Sequence, residues 1–206
     1  MLTTQHSQNL EPLKIALMGG TFDPVHTAHI QIAQRAYEAL SLDTVFFIPN
    51  SQSPIKEQGP RASDAQRLVM LDLALKEYPK FVIDDLEIKR GGLSYAYETA
   101  EYFLERYPNS ELFWIIGADQ FEDLGRWRKI ELLSKLLTFL VFKRESKQLN
   151  PPNVPNLRFF PIESQLLEVS SSEIRAQYAK NRGSTGMMPE PVEAFILEQG
   201  LYKQNG

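Results

Sequence analysis

The chain has no cysteine. That excludes disulfides, thiolate nucleophiles and cysteine-held zinc, and it fits a reducing cytoplasm. Histidine is scarce, with three in 206 residues; the two that stand close together have no third well placed to complete a zinc site. Basic residues are not in excess. Lys and Arg number 22 against 26 Asp and Glu, a formal charge of −4, so no global positive field invites nucleic acid. Long apolar runs are missing too. The most apolar stretch, Leu132 to Phe142, is short and broken by Ser134, Lys135 and Thr138, which argues against a membrane span. Residues 1–13 are polar and carry no apolar signal core. There is no internal repeat and no low-complexity segment. What remains is 43% hydrophobic, enough for one core, so a soluble single domain over residues 14–206 is expected after a disordered tail at 1–13.

Apolar runs of strand length alternate with helical patterns along that domain. Ile15–Met18, Thr44–Ile48, Phe81–Ile83, Leu112–Ile116, Phe139–Phe142 and Arg158–Phe160 read as strands. Helices are expected after the first strand, from Ser63-Asp64 with a stripe of Leu68, Leu71 and Leu75, over Tyr95–Tyr107, around Ile130–Lys135, and near 172–180 and 191–199. The alternation predicts an α/β fold: a doubly wound, mostly parallel sheet with helices on both faces. Ligands of such sheets bind at the carboxyl ends of the strands.

The stretch Gly19-Gly20-Thr21-Phe22-Asp23-Pro24-Val25-His26-Thr27-Ala28-His29 lies at one such end. Two glycines permit a tight turn and a close approach of backbone to ligand. Asp23 suits an N-cap and Pro24 a first helical position, so a helix is expected to open here. Free N–H groups and the helix dipole then make an anion site. His26 and His29 fall on one face of its first turns. The stretch lacks the Lys-Ser/Thr of a P-loop and the G-x-G-x-x-G of a dinucleotide fingerprint. On spacing alone, a histidine at a helix start is also an ordinary polar surface residue.

Two further stretches carry chemistry. Gly117 and Asp119 close a central strand, where a glycine admits a flat base or ribose and a carboxylate accepts a hydroxyl or amine proton; a capping aspartate is the plainer alternative. Ser170-Ser171-Ser172-Glu173-Ile174-Arg175 opens another helix with capping-box spacing. A cation in a first turn opposes the dipole unless an anion is present, so Arg175 with Ser171 and Ser172 points to a polyphosphate.

The Gly19–His29 stretch resembles the signature of the H-x-G-H nucleotidyltransferases, and more narrowly the bacterial nicotinate-nucleotide adenylyltransferases, with Ala28 where the family has glycine. The resemblance extends over roughly residues 14–202. It implies ATP binding by Gly19, Gly20, Thr21 and Phe22, with Gly117 and Asp119 in the adenosine pocket and Ser171 and Ser172 near phosphate. It implies phosphate stabilisation by His26, His29, Lys56 and Arg175. For the acceptor it implies Ser94, Tyr95 and Ala96, where the family carries Ser-Tyr-Thr, and Trp127 stacked on the pyridine ring, followed by Arg128 where a tyrosine is frequent. Trp127 also fits an ordinary partly buried aromatic, and Lys56 a solvent-facing loop. The implied partners are ATP and nicotinate mononucleotide, with Mg²⁺ held mainly through phosphates and water and by no protein cage. Nicotinamide mononucleotide, phosphopantetheine, and a nucleotide-binding regulatory protein without turnover are the alternatives, and a homo-oligomer is left open. A mononucleotide phosphate is already largely dianionic, so the reaction needs no general base and no nucleophilic side chain; it needs two polyanions held together and their charge neutralised.

Overall fold

The computed structural model describes residues 11–55, 58–144, 146–163, 169–183 and 186–203. In chain order these form β1 (Leu13–Gly20), α1 (Thr27–Leu40), β2 (Thr44–Pro49), α2 (Asp64–Leu75), β3 (Phe81–Ile83), α3 (Leu86–Arg90), α4 (Ala96–Arg106), β4 (Ser110–Gly117), α5 (Ala118–Glu122), a 3-10 turn at Leu124–Arg126, α6 (Ile130–Leu136), β5 (Thr138–Lys143), β6 (Phe159–Glu163), α7 (Ser171–Ala179) and α8 (Glu190–Glu198). All six strands are parallel, in the order β3-β2-β1-β4-β5-β6. The order reverses between β1 and β4, where Leu17 lies beside Trp114. A crevice opens beyond the strand ends at that switch point.

Alternation along the strands sorts the core into two layers, because successive side chains leave opposite faces. Ala16, Met18, Val45 and Phe47 pack with residues of α1, α2, α7 and α8, whereas Ile15, Leu17, Phe46, Ile48 and Trp114 pack with α4, α5 and α6. Both faces are therefore covered, as a wholly parallel sheet requires. Fully buried phenylalanines such as Phe47 and Phe103 each contribute about 1.5–3 kcal/mol. No helix among the described residues is long and apolar enough to cross a membrane.

Local chemistry sets several boundaries. The Ser63 hydroxyl accepts from Gln66 N–H at 3.2 Å and the Gln66 side chain accepts from Ser63 N–H at 2.9 Å, a reciprocal cap on α2. Other sequence expectations need correction. The first strand already includes Leu13, a residue assigned above to the tail. The buried stripe of α2 runs through Arg67, Met70, Leu71, Ala74 and Leu75, with Leu68 only partly covered. Short α3, α5 and the 3-10 turn carry too few residues for a periodic signal.

Candidate active site

The Gly19–His29 stretch begins as strand rather than turn. Gly19 and Gly20 are the last residues of β1, and steric room explains them. A Cβ on Gly19 would stand 3.0 Å from the Trp114 ring, and one on Gly20 2.9 Å from the ring of Phe22. The left-handed residue of the turn is Phe22, at φ 48°, a conformation that costs about 1–2 kcal/mol outside glycine. The helix begins at Thr27 with His26 as its N-cap, three residues later than Asp23 and Pro24 predict.

Asp23 is absent from that cap because it serves as a buried junction. It is 3% exposed. Its carboxylate accepts from the Arg61 amide at 2.8 Å, the Ala62 amide at 3.1 Å and the Tyr202 hydroxyl at 2.8 Å. Burial and the neighbouring carboxylate push the Tyr202 phenol above its ordinary range, so it stays a donor. Arg175 donates to the Asp23 carbonyl at 2.7 Å and to Ser172 Oγ at 3.2 Å, and Ser171 donates to the Pro24 carbonyl at 2.9 Å. Arg175 therefore has a partner even without an anion, because it ties α7 to the motif. Ser170 caps α7 by accepting from Glu173 N–H at 3.1 Å.

The two histidine rings stack with centroids 3.7 Å apart, although His26 sits just outside the helix. His29 Nδ1 accepts from the His26 backbone N–H at 3.2 Å, which places the proton of the neutral ring on Nε2. His26 is 5% exposed, and its Nδ1 meets no partner among the described residues. Burial alone lowers its pKa to about 4. It is neutral at pH 7, and a polyanion beside it would favour the charged form.

Two cavities meet at the carboxyl ends of the strands. The larger, about 1170 Å³, is lined by Gly19–Asp23, His26, His29, Gly117, Asp119 and Ser170–Ser172 with Arg175. The smaller, about 230 Å³, is lined by Ser94, Tyr95, Ala96, Trp127 and Arg128 and by the glycine edge. Gly19, Gly20 and Thr21 line both. Every predicted site residue among those described borders one cavity or both; Lys56 lies outside the described residues. Gly117 has open space where a Cβ would be. Asp119 projects into solvent and pairs with Lys147 at 2.5 Å; it sits in the first turn of α5, whose N-cap is Gly117. Arg128 lies over the Tyr95 ring, 4.7 Å from its centroid, and donates to its hydroxyl at 3.1 Å. Trp127 packs edge-on to Trp114 and Phe139, and its buried indole N–H has no partner among the described residues.

Sequence reasoning missed four residues here. Lys147 borders the larger cavity. Tyr202 reaches Asp23 from the far end of the chain, beyond any local signal. Glu87, 3% exposed, borders the smaller cavity and accepts from Thr99 Oγ1 at 2.6 Å; burial raises its pKa, opposed by the Thr99 and Ser94 hydroxyls. Arg67 is wholly buried, and a cation on the buried face of α2 is the periodic signal that would have found it.

Residues 17–177 match the cytidylyltransferase-like family. The chain is 35% identical, over 93% of its length and 98% of the relative's, to a protein of Opitutus terrae named probable nicotinate-nucleotide adenylyltransferase. A protein of the same name from Staphylococcus epidermidis is 36% identical over 92% of this chain and 97% of its own. Among solved structures, nicotinic acid mononucleotide adenylyltransferase of Plasmodium falciparum, complexed with NaAD, superposes with a TM-score of 0.77 at 19% identity, over 92% of this chain and 97% of that one. The last likeness is one of fold.

Proposed function

This chain belongs to the cytidylyltransferase-like family and, within it, to the nicotinate-nucleotide adenylyltransferases, and we propose that its paired cavities transfer the adenylyl group of ATP to nicotinate mononucleotide. The observation that carries the reading is the shared wall: the larger cavity has the size and polar lining for a nucleoside triphosphate, the smaller suits a pyridine nucleotide, and both open on Gly19–Thr21 beside the stacked histidines. An oxygen of the acceptor phosphate forms a bond to the α-phosphorus as the bond to the bridging oxygen of the β-phosphate breaks. Deamido-NAD and pyrophosphate are the products. No covalent enzyme intermediate is required, and catalysis is positioning together with charge neutralisation.

The geometry supports the following roles. His29 Nε2–H and the motif backbone donate to phosphate oxygens, and His26 supplies a site whose protonation bound phosphate favours. Arg175 is half engaged with Asp23 and offers its remaining donors to the polyphosphate, alongside Ser171 and Ser172. Gly117 admits the adenosine and Asp119 a hydroxyl or amine. Trp127 stacks on the pyridine, with Ser94, Tyr95, Ala96 and Arg128 around it. Among the described residues no group of three or more His, Cys, Asp or Glu is placed to hold a metal ion. Mg²⁺ carried by the triphosphate and water would supply charge neutralisation there.

The test is pyrophosphate release with ATP and each acceptor in turn. Nicotinate mononucleotide is expected to exceed nicotinamide mononucleotide clearly in kcat/KM, because an amide in a site built for a carboxylate leaves buried polar groups unpaired. Equal values, or a preference for the amide or for phosphopantetheine, would refute the acceptor. No release with any acceptor would favour a nucleotide-binding regulatory protein.

A further inference from the structure

Beneath the shared wall of the two cavities lies Arg67, on the buried face of α2 and wholly shielded from solvent. Its guanidinium donates through Nη1 to the Thr21 carbonyl at 2.7 Å, and through Nη2 to the Asn50 carbonyl and to Asp64 Oδ1, each at 2.7 Å. Thr21 directly follows β1 and Asn50 directly follows β2, so one side chain fastens two neighbouring strand ends. Neither cavity is lined by Arg67, and it touches no substrate in the reading above. A buried cation is costly unless hydrogen-bonded; this one, with only its Nε lacking a partner among the described residues, is placed where the backbone turns from sheet to motif.

The orientation of one peptide follows from that grip. The Thr21–Phe22 bond is trans, since the cis bond of this stretch is Asp23–Pro24. A trans peptide directs its C=O and its N–H to opposite sides. With the Thr21 carbonyl drawn to Arg67, the Phe22 N–H points away from α2, and it makes no hydrogen bond to another described residue. Phe22 is also the motif residue held at positive φ, and it borders the larger cavity. We infer that Arg67 is a positioning residue for the transfer step, holding the Thr21 carbonyl so that the Phe22 N–H is preset as a donor to the α-phosphate. Lysine cannot do this: a point ammonium lacks the planar fork that reaches two carbonyls and a carboxylate together.

The inference rests on the adenylyl-transfer reading, and the experiment separates the two. Full-length protein is assayed for pyrophosphate release with ATP and nicotinate mononucleotide, as wild type, Arg67→Lys and Asp64→Ala. Inactive wild type defeats the functional reading; active wild type with unaffected variants defeats only the assignment of Arg67. In Arg67→Lys, below its melting temperature, kcat is expected to fall about a hundredfold while both KM values stay within about threefold of wild type, because the side chains that bind each substrate are untouched and the misplaced N–H acts mainly on the transition state. A fold defect alone would lower the active fraction without changing how sulfur is tolerated. The second readout is therefore adenosine 5′-O-(1-thiotriphosphate), in which sulfur replaces an α-phosphate oxygen and accepts hydrogen bonds poorly. One diastereomer is expected to slow the wild type about tenfold or more against ATP, and Arg67→Lys far less. A folded Lys variant with wild-type kcat, or the same sulfur effect in both proteins, overturns the inference. If Arg67→Lys does not fold, Asp64→Ala decides: it removes one half-exposed partner of the guanidinium and is expected to lower kcat several-fold and shrink the sulfur effect, and no change in either overturns it.

Discussion

His26 makes stability depend on pH with a definite sign. Burial lowers its pKa from 6.5 to about 4, whereas in the unfolded chain it regains its ordinary value. Above pH 6.5 the ring is neutral in both states and the folded form bears no penalty. As pH falls from 6.5 towards 4 the unfolded chain takes up a proton that the folded one refuses, so stability is lost. The full difference is about 3 kcal/mol, and linkage puts the loss between pH 7 and pH 5 at about 2 kcal/mol from this one group. Glutamine at this position cannot titrate. Chemical denaturation of wild type and His26→Gln at both pH values should therefore show the wild type losing about 2 kcal/mol more on acidification. Under the proposed function, bound ATP would supply the missing counter-charge. Calorimetric titrations near pH 5.5 in buffers of different ionisation enthalpy should then reveal proton uptake on binding by the wild type and less by the variant. Parallel pH profiles for the two proteins would refute the reasoning, because the buried imidazole would then not be the group that refuses the proton.

Three more perturbations address separate links. Tyr202→Phe removes the hydroxyl that donates to Asp23 and should cost about 1–3 kcal/mol in denaturation; an unchanged midpoint would show that the junction does not need the chain's end. Arg175→Ala should both weaken ATP in equilibrium titration and lower stability, since it also holds the Asp23 carbonyl, while Ser170→Ala should cost roughly 0.5–2 kcal/mol and leave ATP affinity alone; equal, purely thermal defects would make α7 a capped helix and nothing more. Trp127→Ala should raise KM for the pyridine nucleotide about tenfold while that for ATP moves little, and a larger effect on ATP would place the indole in the wrong cavity.

Much of the fold was legible because it is written in local order. Short apolar runs separated by amphipathic stretches imply parallel strands with helical crossovers, and β4, whose Leu112–Ile116 run is bulky and uncharged, is central as that composition suggests. The boundaries that failed did so for tertiary reasons. Asp23 has the chemistry of an N-cap, but the amides of Arg61 and Ala62 and the phenol of Tyr202 take up its lone pairs, and the helix waits until His26. Gly19 and Gly20 look like turn residues, yet they are strand residues kept small by the rings of Trp114 and Phe22. Arg175 looked like a cation in need of an anion, and it has a backbone carbonyl as well.

By itself the sequence determined the class of fold, the family, and the residue types gathered for handling phosphate, since each of these is carried by side-chain character and short-range spacing. The tertiary structure alone decided how those residues meet. Arg67 fastening two strand ends, Glu87 beneath the smaller cavity and Tyr202 reaching Asp23 across 179 positions are consequences of which strands lie side by side. A chain read one neighbour at a time does not contain that adjacency; it arises only when the sheet has closed and burial has forced each polar group to find its partner.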